Sequence, residues 1–503
     1  FEKLTDYAGK NGHPMWAGGK VLFVSDRAPS GLTDLYAMDP STKAVEQLTQ
    51  AAQFDVQWPA TDGRTVVFVQ GGHLQALDLA TKRQHQVEVR VASDGWRTAP
   101  RTVNPKEWIQ SMALAKGTVA LEARGEVFLL PTDGAKPALN LTHTPGTRER
   151  MPRLSPDGKR VAYFSDATGE YDLYVQPAEG GPAERIPTGL NTALYHLEWS
   201  PDGSKLLFGD KSFAIHVMDL ATRKLTQVDA YHELKNDEFS WEVSDYTWSP
   251  DSQWVAYSVV EPSRNSRVWL YHLPTRRKVA VSHGFFDCLN PCFDAEGNGL
   301  YFLSYSNFET RLDPSQDNHI QPAPVQVMKV QLKADDASGP FRIDLEGLQE
   351  RIRPLPVKPG NLFHLKAGRG FLAWAEAEGW DDSVQEEVFT PRGQDKWKLN
   401  LYDLAAKKSV VLNDPVADWS FSSEGRQLLV RRKGALHVGE AAALFGSKTL
   451  PPVLDLDRLS TRVVPREEWK QVFEDTWRWY REFFYDRDMH GRDWQAIHDK
   501  FAA

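Results

Sequence analysis

The chain has 503 residues, of which 41% are hydrophobic and 25% are charged, and 59 Lys and Arg against 68 Asp and Glu give a net charge of -9. At about 100 to 200 residues per domain, this length predicts two to four domains, and the balance of residue types excludes general disorder, collagen-like repetition and a coiled coil. A mildly acidic chain without a long basic block disfavours nucleic-acid binding, and the absence of any run of about 18 apolar residues disfavours a membrane span.

Short turn-and-strand units repeat along most of the chain. Ser155-Pro-Asp-Gly158, Ser200-Pro-Asp-Gly203 and Ser249-Pro-Asp-Ser252 each precede a stretch of β-branched and aromatic residues. Because proline presets φ, aspartate bonds its own backbone and glycine accepts a left-handed conformation, each unit predicts a tight turn before a buried strand. The turn position recurs roughly every 45 residues, at Gly63, Gly117, Gly158, Gly203, Ser252, Gly297, Gly370 and Gly425, with an earlier one expected at Gly19.

Several short strands per unit at this period are typical of a β-propeller, in which four-stranded sheets pack radially. The seven markers from Gly117 to Gly425 predict one seven-bladed ring, which leaves two units at the N-terminus. Two blades cannot close alone, so residues 1–90 are interpreted as the end of another propeller rather than as blades of one larger ring. The predicted fold class is mainly β: a seven-bladed β-propeller preceded by two blades of a further propeller and followed by a short α-helical segment.

One interval, between Gly297 and Gly370, is longer than its neighbours. It contains the polar stretch Ser304–Pro340, with Arg311, Asp313, Asp317 and His319. Long insertions often carry function, but a solvated, extended hairpin is preferred here over a substrate-contacting loop.

Aromatic and sulfur-containing residues are assigned to the core. Large aromatics suit the packing between blades, so wedge positions are predicted for most of Trp16, Trp58, Trp199, Trp248, Trp374 and Trp419. Cys288 and Cys292 are the only two cysteines, which excludes a disulfide framework. No further Cys pair or His cluster completes four metal ligands, so two buried thiols are the favoured interpretation and no metal site is predicted.

The repeat pattern stops after Pro451. From Pro465 onwards, apolar residues at steps of three and four predict a helix, at Trp469, Val472, Phe473, Thr476, Tyr480, Phe483 and Phe484. Asp486–Gly491 breaks this pattern, and a second helix is predicted from Asp493. An amphipathic pair this short needs a partner, so it either docks on the propeller or begins a further domain.

No familiar catalytic motif occurs in the chain. G-x-S-x-G, H-E-x-x-H, a Walker loop, a dinucleotide fingerprint and C-x-x-C are all absent from the sequence. His490, with Asp486, Asp488 and Asp493 around it, is open to an acid–base or metal role, but capping and turn formation are the favoured interpretation.

For four other polar groups, a functional role is compared with a purely structural one. Asp381-Asp382 is interpreted as a solvated acidic pair. The basic runs Arg276–Lys278 and Arg431–Lys433 suit peptide carboxylates, because guanidinium binds carboxylate in a bidentate manner, but exposed hairpin ends are favoured. Asn140-Leu-Thr142 is formally a glycosylation acceptor, which is weak evidence.

Taken together, the repeats and the terminal helix resemble one family, the tricorn-type serine peptidases. The stretches 4–27, 120–131, 147–175 and 292–304 are similar to the family's propeller repeats. EEWKQVFEDTWRWYREFFYDRDMHGRDW at 467–494 resembles the opening of the helical domain that follows the propellers, and this match is more specific than the repeats. The resemblance covers nearly the whole chain.

The resemblance implies an architecture of a six-bladed propeller, a seven-bladed propeller, a helical domain, a PDZ-like domain and a catalytic α/β domain. Residues 1–90 would then be the last two blades of the first propeller, residues 91–455 the second propeller and residues 456–503 the start of the helical domain. Catalysis would use a serine nucleophile, a histidine base and backbone oxyanion donors, all beyond Ala503. No catalytic residue is assigned, and neither His490 nor His498 is given that role.

The resemblance further implies a serine endopeptidase or oligopeptidase that degrades short peptides, with the propellers as substrate channel and size filter. The chain alone is expected to be inactive. The whole protein is expected to need no cofactor, to act on oligopeptides, to form a homo-oligomer, a hexamer by resemblance, and to be cytoplasmic, with a periplasmic location left open because homologues occur in both places. Two alternatives stay open: a TolB-like propeller that binds a protein partner, which leaves the helix at 467–494 unexplained, and a prolyl-oligopeptidase-type enzyme, whose G-x-S-x-G motif is absent.

Overall fold

The computed structural model describes residues 2–230, 245–313, 318–320, 323–335, 339–377, 397–412 and 414–502. It divides into two units, a smaller one of residues 1–97 and 488–503 and a larger one of residues 98–487. The domain limits at residues 90 and 455 stay predictions. In the structural division, residues 456–487 fall in the larger unit.

The smaller unit contains two antiparallel four-stranded sheets whose strands lie side by side in chain order. The first sheet consists of β1 (Asn11–Ala17), β2 (Lys20–Ser25), β3 (Asp34–Met38) and β4 (Val45–Gln47). The second consists of β5 (Gln57–Thr61), β6 (Thr65–Gln70), β7 (His73–Asp78) and β8 (Gln84–Gln86). One hydrophobic cluster, which includes Leu35 and Phe68, packs the two sheets together.

The larger unit begins with β9 (Arg101–Val103) and continues, within its described residues, into seven successive antiparallel sheets, numbered here 1 to 7. Sheets 1 and 2 are β10 (Ile109–Ala115), β11 (Thr118–Ala123), β12 (Glu126–Pro131) and β13 (Leu139–Asn140), then β14 (Glu149–Leu154), β15 (Arg160–Ser165), β16 (Asp172–Pro177) and β17 (Glu184–Ile186). Sheets 3 and 4 are β18 (Leu194–Trp199), β19 (Lys205–Asp210), β20 (Ala214–Asp219) and β21 (Leu225–Ala230), then β22 (Tyr246–Trp248), β23 (Trp254–Val260), β24 (Ser266–His272) and β25 (Arg277–Ala280).

Sheet 5 is interrupted by the long insertion. Its strands are β26 (Cys288–Phe293), β27 (Gly299–Ser304), β30 (Gln326–Gln331) and β31 (Ile352–Pro354), and the insertion forms a separate pair of β28 (Arg311–Asp313) and β29 (Asn318–Ile320). This pairing is the extended hairpin that the sequence predicts. Sheet 6 is β32 (Asn361–Ala367), β33 (Phe371–Ala377), β34 (Lys398–Asp403) and β35 (Lys408–Val411), and sheet 7 is β36 (Asp418–Phe421), β37 (Gln427–Arg432) and β38 (Ala435–Glu440).

The repeated turns join the first and second strands of each sheet as predicted. In sheet 2, the Ser155 hydroxyl donates to Asp157 at 2.5 Å and accepts from the backbone N–H of Arg160 at 2.9 Å. Gly158 has a φ of 73° and donates its N–H to the Ser155 carbonyl at 2.8 Å. The positive φ explains why glycine recurs at this position.

Hydrophobic clusters join each sheet of the larger unit to the next one along the chain. Buried Phe164 and Phe208 meet between sheets 2 and 3, for example, and further clusters join the later pairs. Sheet 1 also shares a cluster with sheet 7, where Leu121 and Leu130 pack with Leu429 and Leu436. The first and last sheets are therefore in contact, and the mainly β class is confirmed.

The tryptophans meet the wedge prediction in the larger unit but not in the smaller one. Trp199, Trp248, Trp374 and Trp419 are buried in clusters between neighbouring sheets. For the other two the prediction is wrong, because Trp16 and Trp58 are 63% and 69% exposed. Ala17 lies in the core of the smaller unit, and side chains alternate along a strand, so its neighbour Trp16 lies on the opposite face of β1.

Three α-helices occur in the described residues: α1 (Ala441–Ser447), α2 (Pro465–Phe483) and α3 (Trp494–Ala502). Short 3-10 turns occur at Lys106–Trp108, Gln349–Arg351, Leu456–Arg458 and Met489–Gly491, and β39 (Thr461–Val463) pairs with β9. The two helices predicted from the sequence are present as α2 and α3. None of the described helices is long and apolar enough to cross a membrane.

Candidate functional site

The first strands of the sheets in the larger unit are linked to one another through bulges. A bulge interrupts β10, β14, β18, β26 and β32. In the last four of these strands, one bulge residue has a φ near 50° and donates its backbone N–H to a side chain of the preceding repeat. The donors and acceptors are Met151 to Glu122, His196 to Met151, Asn290 to Asp245 and His364 to Asn290, at 2.9 to 3.2 Å. These bonds fix the positions of the first strands, and hence of the side chains that they present.

Four charged side chains on these first strands are electrostatically coupled and are called here the central cluster: Arg153 on β14, Glu198 on β18, Lys366 on β32 and Asp418 on β36. Arg153 is electrostatically coupled to Glu198 and Asp418, and Lys366 is coupled to the same two carboxylates. Burial raises the pKa of Glu198 to about 7, and the cations Arg153 and Lys366 counteract that rise. Burial also lowers the pKa of Lys366.

A cavity of about 890 Å³ lies between helix α2 and the loops of sheets 1 and 2. Its aromatic and apolar wall comes mainly from the helix, whereas sheets 1 and 2 contribute polar groups. The lining includes Trp108, Gln110, Glu122, Arg124, Arg148, Val472, Asp475, Trp479, Tyr480 and Phe483. Glu122, which lines the cavity, is coupled electrostatically to Arg153.

Ion pairs hold helix α2 against sheet 2. The Arg478 guanidinium binds the Asp166 carboxylate, and it donates to Asp475 at 3.2 Å and to the Gly169 carbonyl at 2.6 Å. Arg148 pairs with Asp475, which also accepts a hydrogen bond from the Tyr171 hydroxyl at 3.1 Å. Arg478 is 5% exposed and Asp475 is 9% exposed, so these charges are buried as well as paired. They are called here the docking network.

Further pairs extend this contact along the helix. Arg481 binds Glu170 in a bidentate manner at 2.6 and 2.8 Å, and Arg124 binds Glu468 in the same manner at 3.0 and 2.7 Å. Burial alone would raise the pKa of Asp475, but Arg148 and Arg478 hold it below its ordinary value. Asp475 is therefore ionised at neutral pH.

The face of helix α2 beside the docking network is aromatic, lines the cavity and is largely exposed. Trp469, Val472, Trp479 and Tyr480 are each 55 to 58% exposed, and the Trp479 ring stacks on Phe483 with centroids 4.5 Å apart. The helix therefore packs on sheet 2 through its charged face and leaves much of its apolar face uncovered by described residues, the reverse of an ordinary surface helix.

Of the two histidines considered in the sequence analysis, His490 lies in a local turn and His498 lies on a helix. His490 has a φ of 56° within the 3-10 turn Met489–Gly491, which agrees with the turn interpretation. His498 lies on α3, and its Nδ1 is 3.0 Å from the Asp499 carboxylate. Within the described ranges, no group of three or more His, Cys, Asp or Glu is placed to hold a metal ion.

The basic runs have mostly structural roles. Lys278 pairs with Asp229 and lies 4.3 Å from the Trp269 ring centroid, whereas Arg276 is exposed. Arg431 donates to the Ile109 carbonyl at 2.9 Å, across the contact of sheets 7 and 1, and Arg432 pairs with Asp414 at 2.7 Å.

The remaining candidates are either buried or outside the described residues. Asn140 is 8% exposed and its amide donates to Glu126, which leaves it inaccessible as a glycosylation acceptor. Cys288 and Cys292 are buried free thiols, as predicted. Asp381, Asp382 and Asp317 lie outside the described residues, as do the side chains of Arg311, Asp313 and His319.

Comparison with protein-family models gives three successive matches along the chain. Residues 1–83 match the tricorn protease N-terminal β-propeller domain, residues 112–442 the second β-propeller domain and residues 465–503 the C1 domain. The first two stretches correspond to the sheets of the smaller unit and to sheets 1 to 7, and the third begins at the first residue of α2.

Comparisons with individual proteins give the same result as the family models. The chain is 26% identical to tricorn protease homolog 1 of Streptomyces coelicolor, over 100% of this chain and 50% of that protein. It is 24% identical to a tricorn protease homolog of Saccharolobus solfataricus, over 100% of this chain and 46% of that protein. A crystal structure of the tricorn protease superposes with a TM-score of 0.80 at 18% identity, covering 100% of this chain and 49% of that one. The chain thus spans about half the length of these relatives.

Proposed function

Because the chain belongs to the tricorn protease family, we propose that it is the propeller part of a serine peptidase that degrades short peptides. The observation that carries this proposal is the succession of two propeller matches and a C1 match along one chain. The nucleophile, the histidine base and the oxyanion donors are proposed to lie outside residues 1–503, so that this chain alone is inactive. The matched relatives are about twice as long as this chain, which supports a division of the whole protein into a propeller part and a separate catalytic part.

The proposed architecture of the larger unit is one closed seven-bladed ring. Its support is the hydrophobic cluster that sheet 1 shares with sheet 7, together with the hydrogen bond from the Ser423 N–H to the Leu114 carbonyl at 3.0 Å. In such a ring, the first strand of each sheet lies nearest the axis. The bulged strands would then line a lumen, through which peptides reach the active site and which excludes folded proteins.

The test uses the full-length protein that contains this sequence. We expect it to hydrolyse a fluorogenic oligopeptide and to be labelled by a serine-reactive phosphonate outside residues 1–503, whereas the isolated chain of 56.9 kDa does neither. A native protein of that mass without turnover or labelling would contradict the proposal and favour a TolB-like binding module.

Two further parts of the proposal concern assembly and location. A homo-oligomer, a hexamer by family resemblance, is supported by the exposed aromatic face of α2, since such faces are commonly covered in an assembly. A cytoplasmic location rests on the resemblance alone. Sedimentation of the full-length protein and fractionation of cells test these two parts separately.

A further inference from the structure

The cavity between helix α2 and sheets 1 and 2 has no role in the proposed peptidase function. Its volume of about 890 Å³ lies within the range of sites that hold whole small molecules, roughly 300 to 1,000 Å³. Its apolar wall combines Trp108, which directly precedes β10, with Val472, Trp479 and Tyr480 of the helix. A single side chain would fill only a small part of this space.

The charged groups around the cavity are paired with one another, with one exception. Arg124 binds Glu468 in a bidentate manner at 3.0 and 2.7 Å, and Arg148 pairs with Asp475. Glu122 is the third carboxylate of the lining, and it forms no ion pair with any residue that the structure describes. Three carboxylates and two guanidinium groups therefore leave the lining with one net negative charge.

Glu122 is buried and has one carboxylate oxygen without a donor. The residue is 4% exposed, and its Oε2 accepts hydrogen bonds from the Ser111 hydroxyl at 3.0 Å and from the Met151 N–H at 2.9 Å. Arg148 and Arg153 are coupled to it electrostatically, but within the described part of the chain no group donates to its Oε1. A buried carboxylate oxygen in this state is costly unless water or a ligand supplies the donor. Because Glu122 lines the cavity, a molecule bound there can supply it.

The aromatic wall of the cavity suits a cation. The Arg124 guanidinium carbon already lies 5.1 Å from the centroid of the Trp108 ring, and Trp479 and Tyr480 add further rings on the helix side. Aromatic rings attract cations at their faces and also pack against apolar groups. A ligand that carries one positive charge on an apolar body would therefore match both the unpaired carboxylate and the rings.

We infer that this cavity binds a small organic cation with one ammonium group and an aromatic or branched apolar body. The ammonium group donates to Oε1 of Glu122, and the apolar body packs against Trp108, Trp479 and Tyr480. The volume favours a whole molecule over a lysine or arginine side chain of a partner protein. This site is additional to the proposed function and does not depend on it. Because helix and sheets both contribute walls, the bound cation contacts both and stabilises the docking of α2.

Calorimetric titration of the chain with three indole derivatives tests this inference. Tryptamine carries an ammonium group, tryptophol a hydroxyl group and indolepropionate a carboxylate on similar apolar bodies. We expect tryptamine to bind about tenfold more tightly than tryptophol, because only tryptamine offers a charge-assisted hydrogen bond to Glu122, and indolepropionate not to bind. Equal affinities for tryptamine and tryptophol, or no binding of tryptamine, would overturn the inference.

Two variants separate the charge from the aromatic wall. Glu122→Gln keeps an acceptor for Ser111 and Met151, and it is expected to lower the affinity for tryptamine about tenfold, to that for tryptophol. Trp479→Ala is expected to weaken the binding of both ligands and to keep their ratio, and it remains a test if thermal denaturation shows that Glu122→Gln is unfolded. Glu179→Gln makes the same change of charge at an exposed position and should change neither affinity. Undiminished binding of tryptamine by folded Glu122→Gln would contradict the site.

Two further titrations identify the source of the cation. The full-length protein is expected to prefer tryptamine over tryptophol as the chain does. The chain is expected to bind N-acetylated, C-amidated Leu-Lys-Leu no more tightly than the same tripeptide with norleucine in place of lysine. Loss of tryptamine binding in the full-length protein, or a preference for the lysine tripeptide, would overturn the assignment to a small molecule, because a basic side chain of a polypeptide would then be the occupant.

Discussion

The docking network and the central cluster both gather four or more charged groups, but their charges are satisfied in opposite ways. In the docking network, Arg478, Asp166, Asp475 and Arg148 pair directly and are supplemented by the Tyr171 hydroxyl. In the central cluster, the charges are electrostatically coupled, and Arg153, Lys366 and Asp418 hydrogen-bond to backbone groups.

This difference predicts opposite effects of the two groups on stability. A network of direct ion pairs keeps its charged partners in place, so its removal should lower stability. A half-buried carboxylate whose pKa is raised by burial is costly to ionise, so removing the charge of Glu198 should leave stability equal or higher.

The largest expected effect is that of Arg478→Met, which leaves the buried Asp166 carboxylate without its ion-pair partner and removes one of the two cations that pair with Asp475. We expect the free energy of unfolding to fall by about 3 to 5 kcal/mol, measured by chemical denaturation. Arg466→Met, at an exposed position on the same helix, is the control and should change it by less than about 0.5 kcal/mol. Equal effects of the two variants would mean that the docking network contributes little.

Asp475→Asn should cost about 1.5 to 3 kcal/mol at pH 7, because it weakens charge-assisted hydrogen bonds from three partners. The pKa of Asp475 is lowered in the folded state, so its stabilisation is present above the ordinary value of 3.8 and is lost as pH falls through the folded pKa. Denaturation at several pH values should therefore show the two proteins converging below pH 3.8. A difference that persists undiminished in acid would refute this account.

Glu198→Gln should change the free energy of unfolding in the opposite direction. The folded state raises the pKa of Glu198 from 4.5 to about 7, so wild-type stability falls as pH rises through this window, with Arg153 and Lys366 as the facing cations. We expect the variant to be about 1 to 2 kcal/mol more stable at pH 8 and equal to wild type near pH 4. Glu179→Gln serves as the surface control, and a destabilised Glu198→Gln at pH 8 would show that Glu198 is a structural ion-pair partner.

The smallest expected change in stability comes from a substitution on the exposed face of α2. Trp479→Ala removes a large ring that is 58% exposed, so we expect a change within about 0.5 kcal/mol in the isolated chain. Thermal denaturation measures this change. A loss of several kcal/mol would indicate that the isolated chain already covers this face, for example by self-association.

Much of the fold follows from the sequence because its signals are local. The Ser-Pro-Asp-Gly turns, the strands that follow them and the helix from Pro465 depend on nearby residues, and all are present. The orientation of that helix was not predictable in the same way. Hydrophobic periodicity predicts that the aromatic face of the helix packs on the sheets. The charged face packs on sheet 2 instead, because it pairs with Asp166 and Arg148, which are distant from the helix in sequence.

The central cluster was missed for a related reason. Its members come from four repeats, and no short motif contains two of them. One signal was available, however: Arg153 and Glu198 each lie two residues before the turn serines Ser155 and Ser200, at equivalent positions of neighbouring repeats. Aligning the repeats at their turns would have placed Arg153 and Glu198 at equivalent positions of neighbouring sheets.

The central claim is that peptides pass through the proposed ring of the larger unit. Its most direct test compares the longest peptide that the full-length protein cleaves before and after the lumen of this ring is widened. His196→Gly with His364→Gly suits this purpose, because both residues lie in first-strand bulges with positive φ, which glycine adopts without strain. The account predicts that the double variant cleaves longer peptides than the wild type does, with unchanged turnover of a short one. An unchanged length limit, in a folded and active variant, would contradict it.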